Sequence, residues 1–166
     1  PATAGADAGL PAARAATVVV LDSDILCLRE FDIDPAAATG FAAKPADKRT
    51  YPGGPEVWKP LYAAAGVAMP EQPVTTTFSN EPGPPYFNSG VVFTTQPARL
   101  GAAWVECALA LNRVLAARGQ RHWLDQVALP IAVHRCELDT TKSEISNPAR
   151  NREYSRIFAL AWKLPL

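Results

Sequence analysis

Three arrangements of apolar and polar positions predict the main elements of this chain. Thr17 to Leu21 is a β-branched run without alternation, the pattern of a strand buried on both faces of a parallel sheet. Between Pro97 and Arg118, residues Leu100, Trp104, Cys107, Leu111 and Leu115 recur at three- and four-residue spacing. That spacing predicts a helix with one apolar stripe, opened by Pro97 near its first position and closed by Gly119 just past its end. Trp123, Val127 and Ile131 predict a second helical face, with Asp125 and Gln126 near its start. Pro130 either limits that helix or kinks it, at a cost of about 3 kcal/mol if it is interior.

Shorter signals fill the rest. Ile25–Phe31 continues apolar, as a short strand or a loop returning across the sheet edge, and Asp32–Pro35 reads as a turn whose Asp34 or Pro35 can open a short helix at Ala36–Ala38. Gly40-Phe41-Ala42-Ala43 reads as a short strand, and Lys44–Pro55 as loop. Trp58, Leu61 and Tyr62 fit a helical face that Pro60 enters only in a first turn. Met69–Pro85 is Pro- and Thr-rich, and a loop of that length is either disordered or a functional cover. Tyr86-Phe87 and Val91-Val92-Phe93 suggest a buried strand interrupted by Asn88-Ser89-Gly90. Glu137–Trp162 is polar through Asn151, then apolar over Ile157–Trp162 as a strand or short helix. The Ala/Pro-rich residues 1–16 offer little to bury and read as a mobile lead-in, leaving 17–166 as a single domain.

Composition adds mostly exclusions. The chain has 166 residues, 16 acidic and 16 basic, with a pI near 7.2, so no global field attracts nucleic acid or acidic lipid. No membrane span and no signal peptide are expected. Cys27, Cys107 and Cys136 show no metal-ligand spacing and read as inert buried thiols.

The candidate chemistry lies in three short stretches. Asp22 and Asp24 end the first apolar run; on an extended backbone they share a side, roughly 6–7 Å apart at about 3.3 Å per residue. Two such carboxylates repel, and a hard divalent cation between them removes the conflict. The same tripeptide also serves as an ordinary turn or helix N-cap. Asn88-Ser89-Gly90 inside a strand marks either close approach of a ligand or backbone, or a bulge whose side chains satisfy local groups. Asp125 fits a first-turn carboxylate favoured by the helix dipole.

In this order, Leu21-Asp22-Ser23-Asp24, Tyr86-Phe87-Asn88-Ser89-Gly90-Val91 and Trp123-Leu124-Asp125-Gln126-Val127-Ala128-Leu129-Pro130 resemble the nucleotide-sugar glycosyltransferases of the GT-A fold, family 8, the glycogenin and galactosyltransferase type. The likeness runs from about Val18 to Val133. It implies an α/β fold with a mixed sheet flanked by helices, and a retaining transfer of a hexosyl-type sugar from a nucleotide diphosphate donor, UDP-sugar above all, to a hydroxyl acceptor. It implies that Asp22, Ser23 and Asp24 form the donor- and metal-binding motif, with Asp22 and Asp24 holding Mn²⁺ or Mg²⁺. Asn88, Ser89 and Gly90 would lie beside the sugar and acceptor, and Asp125 and Gln126 would contact the donor sugar near its reacting carbon. The chain departs from the family in two places. Only the lead-in precedes the Asp22 strand, so part of the N-terminal nucleotide-binding half is expected to be missing. The family's C-terminal metal-binding His also has no counterpart in the settings of His122 and His134.

Two other readings compete: a haloacid-dehalogenase-like phosphatase with Asp22 as nucleophile and Asp24 as acid/base, and an inactive remnant of the fold that acts as a binding module. A cytosolic protein and a luminal domain of a secretory-pathway enzyme would look alike in this sequence, and its oligomeric state is not legible.

Overall fold

The computed structural model describes residues 18–23, 40–46, 51, 53–76 and 79–138. Along the chain these form β1 (Val18–Leu21), β2 (Phe41–Pro45), α1 (Pro55–Ala64), β3 (Val74–Thr75), β4 (Pro82–Gly83), β5 (Phe87–Thr94), α2 (Pro97–Ala117), a 3₁₀ turn (Arg121–Trp123) and α3 (Leu124–Arg135). The domain is α/β. Asp24, the segments 25–31 and 36–38, the lead-in and residues 139–166 lie outside the described residues.

The sheet runs β1-β5-β2, and both outer strands are antiparallel to β5. The expectation of a parallel strand buried on both faces is therefore corrected. Val18–Leu21 pairs with Val91–Thr94 only, among the described residues, and Val20 keeps 39% of its surface exposed. The central strand is β5, whose Val91, Val92, Phe93 and Thr94 are at most 2% exposed. An apolar run of β-branched residues reports affinity for a pleated surface, not the position within it.

The two faces of β5 serve different clusters. Val91 and Phe93 pack with Ala42, Val19 and Leu21 on one side, whereas Val92 joins the large core formed with the helices. Phe87 also joins that large core, although it lies an odd number of residues from Val92, which strict alternation forbids. The slip is visible in the pairing: Ala43 faces Val92, but Pro45 faces Phe87. Two residues of β2 thus span five of β5, and Asn88–Val91 bulges away from β2. This is the local disruption a bulge produces.

The helices make the other layer. α2 buries Leu100, Ala103, Cys107, Leu111 and Leu115 along α3. α3 is buried continuously from Val127 to Val133 and passes through Pro130 to Arg135, so the proline neither limits it nor marks its end. Pro60 likewise sits inside α1, beyond the first turn. Around it Trp58 touches Tyr51, Tyr62 and Tyr86 in edge-on or tilted contacts 5.5–6.5 Å apart, a geometry favoured by the ring quadrupoles. Met69–Pro85, expected to be loop, contains the two-residue ladder β3–β4, with the buried Thr76 Oγ1 accepting the Glu81 N–H at 2.9 Å.

All three α-helices of the described residues end alike. Gly66, Gly119 and Glu137 follow the caps at positive φ (69°, 67° and 50°). At each, the two following amides return to the last turn, as in Gly119 N–H to Ala116 O and Gln120 N–H to Leu115 O. This is the Schellman arrangement, and Leu138 and Val133, both buried, supply its apolar contact on α3. α2 is also, by length and a mean hydropathy of 1.3, the one helix among the described residues apolar enough to cross a membrane. Here its stripe packs on α3.

Candidate functional site

The end of β1, the bulge of β5 and the first turn of α3 meet at one place. The Asp22 N–H donates to the Gly90 carbonyl at 2.9 Å, extending the β1–β5 ladder by one residue. Asp22 itself is exposed, and its Oδ1 accepts the Ser23 N–H at 2.9 Å. Asp24 lies outside the described residues, so the carboxylate pair is represented by its first member.

On β5 the Asn88 side chain accepts the Gly90 N–H at 2.9 Å. The bulge reading of Asn-Ser-Gly therefore holds, with Asn88 supplying the local acceptor. The same irregularity keeps Ser89 on the helix-facing side. There its hydroxyl donates to Asp125 Oδ2 at 3.2 Å. Asp125 is the second residue of α3, where the uncapped N–H groups and the dipole favour an anion. It is exposed, and its Oδ1 has no partner among the described residues. Gln126, half-buried, turns inward and donates weakly to the Phe87 carbonyl at 3.4 Å. All five described sites of the second and third motifs thus lie within one hydrogen-bonded junction, and Asp22 is tied to it through Gly90.

Trp104 completes the junction. Its indole N–H donates to the Asp125 carbonyl at 2.8 Å, although its spacing places it on the apolar stripe of α2. A half-buried indole needs a partner for its N–H, and that was the available signal. His122 lies tilted against Trp123, and His134 edge-on to Tyr62, with ring centroids 4.6 and 6.3 Å apart. No cluster of three or more His, Cys, Asp or Glu side chains able to hold a metal occurs among the described residues. Cys107 and Cys136 are buried free thiols. Burial pushes both thiols above their ordinary 9.0, the nearby Arg135 guanidinium opposing it in each, so they stay protonated and unreactive.

The chemistry of this junction is that of an oxygen-rich, exposed anionic surface: one carboxylate at a strand end, another at a helix start, and an amide and a hydroxyl between. The model of the Rhodobacterales glycosyltransferase domain matches residues 8–137, which include all three motifs. The chain belongs to that family. It is a glycosyltransferase domain, whose reaction needs a sugar donor and an acceptor. No curated protein and no solved structure matches it. The match decides against the phosphatase reading, which also leaves Asn88, Ser89, Gly90, Asp125 and Gln126 without a role.

Proposed function

We propose that this domain moves a hexosyl sugar from a UDP-sugar to a hydroxyl acceptor, with the donor seated at the junction of β1, β5 and α3. The observation that carries the reading is the convergence itself. Three motifs separated by more than 60 and 30 residues in sequence meet through Asp22–Gly90 and Ser89–Asp125 contacts.

In this reading Asp22 and Asp24 hold Mn²⁺ or Mg²⁺ against the diphosphate. The described part of the donor set suits a hard cation, being carboxylate oxygen exposed at a strand end. The ion would offset the charge that develops on the departing nucleoside diphosphate. Asp125, exposed and with one oxygen turned away from Ser89, hydrogen-bonds the sugar hydroxyls and orients the reacting carbon. Ser89 donates to Asp125 and Gln126 to the Phe87 carbonyl, so both also brace the site beside the sugar. The GT-A fold, the family 8 relation and retention of configuration rest on the motif resemblance.

Titration calorimetry with UDP, with and without Mn²⁺, tests the reading on the wild type and on Asp22→Ala and Asp24→Ala. Binding that requires the metal, and falls at least tenfold in each variant while the melting temperature holds, is expected. Unchanged binding in both variants would remove the metal–diphosphate site from this end of β1.

A further inference from the structure

Of the two side chains that hydrogen-bond Asp125 among the described residues, Trp104 makes the shorter bond. The hydroxyl of Ser89 reaches the carboxylate at 3.2 Å, longer than the 2.5–3.0 Å usual for O–H···O bonds. The indole N–H of Trp104 reaches the backbone carbonyl of the same residue at 2.8 Å. Trp104 comes from α2, whose stripe residues Leu100, Ala103 and Cys107 anchor it in the core. Asp125 lies in the first turn of α3, where no side chain caps the helix and where helix ends fray. A bond from this core-anchored neighbouring helix to that turn sets where the carboxylate stands relative to β5.

We infer that Trp104 is a positioning residue: through the Asp125 carbonyl it holds the Asp125 carboxylate in register with the donor sugar, from one helix away. This rests on the donor-site reading above. It adds a residue of α2, an element otherwise devoted to the core.

The test is a set of variants of the whole chain: Trp104→Phe, Ser89→Ala, Asp125→Asn, and each of the first two combined with Asp125→Asn. Trp104→Phe keeps the ring and removes the donor, and Ser89→Ala removes the other bond to Asp125 without touching the core. Affinities for UDP, UDP-glucose and UDP-galactose in Mn²⁺ are compared, the gain of UDP-hexose over UDP reporting the sugar contact. Trp104→Phe is expected to cut that gain about 5-fold with UDP affinity held within 2-fold, and to change nothing further once Asp125 is Asn. Ser89→Ala should behave the same way, by a smaller factor. A loss that adds to that of Asp125→Asn, or that falls equally on UDP, would show a merely structural role and overturn the inference. So would an unchanged gain in Trp104→Phe. A wild type that binds UDP but gains nothing from either hexose would separate Asp125 from the sugar and overturn it too. A wild type that binds none of the three would overturn the donor-site reading itself, and this inference with it.

Discussion

Single residues carry the site, and some of them were legible for a physical reason. Asp125 stood out because a carboxylate in a first helical turn has a cause, the dipole, and the structure puts it there. Ser89 and Asn88 stood out because polar side chains interrupt an apolar strand, and each proves to have a specific partner. Trp104 was hidden by its own periodicity: the stripe it shares explains its ring and says nothing of its N–H. Glu137 was equally silent. It occupies the left-handed conformation that glycine takes at the ends of α1 and α2, where a side chain costs roughly 1–2 kcal/mol. Glu137 is exposed, so Glu137→Gly should stabilise the domain by about 0.5–1 kcal/mol, the remainder being lost to glycine's freedom in the unfolded chain. Thermal melting should rise by a few degrees; a lower melting temperature would mean that the Glu137 side chain has a role in the folded state.

At the scale of elements, existence was readable and context was not. The two long helices followed from spacing and from their start and stop residues, Pro97 and Gly119 above all. The orientation of β1 did not, since a run such as Val18-Val19-Val20-Leu21 suits either kind of pairing and only the tertiary partner decides. The prolines show the same limit. Local rules place Pro60 and Pro130 at helix starts or ends, yet both lie inside helices whose flanking side chains are buried: Trp58, Leu61 and Tyr62 in α1, and Val127–Val133 in α3. Packing of those faces outweighs the lost hydrogen bond. The two prolines should therefore respond differently to alanine. Pro60 is exposed, so Pro60→Ala restores an N–H at little packing loss and should stabilise by about 1–2 kcal/mol. Pro130 is buried, and removing its ring leaves a small cavity that offsets the restored bond. Denaturant unfolding would contradict this if Pro130→Ala gained more stability than Pro60→Ala.

Across the whole molecule, the α/β class and the glycosyltransferase assignment were legible because three short motifs occur in one order, and their order survives whatever the loops do. What the sequence could not convey is why they belong together. The answer is the displaced register of β5 against β2, which turns Ser89 toward α3 while Gly90 stays paired to Asp22. The bulge joins strand end to helix start, at the junction proposed to hold the donor and its metal. Paramagnetic relaxation by Mn²⁺ with UDP, read residue by residue in the amide spectrum of the intact chain, tests that most directly. Broadening centred on Asp22 and Ser23 and extending to Ser89, Gly90 and Asp125 is expected. Broadening centred on another part of the molecule, or Mn²⁺ that leaves Asp22, Gly90 and Asp125 sharp in the presence of UDP, would contradict it.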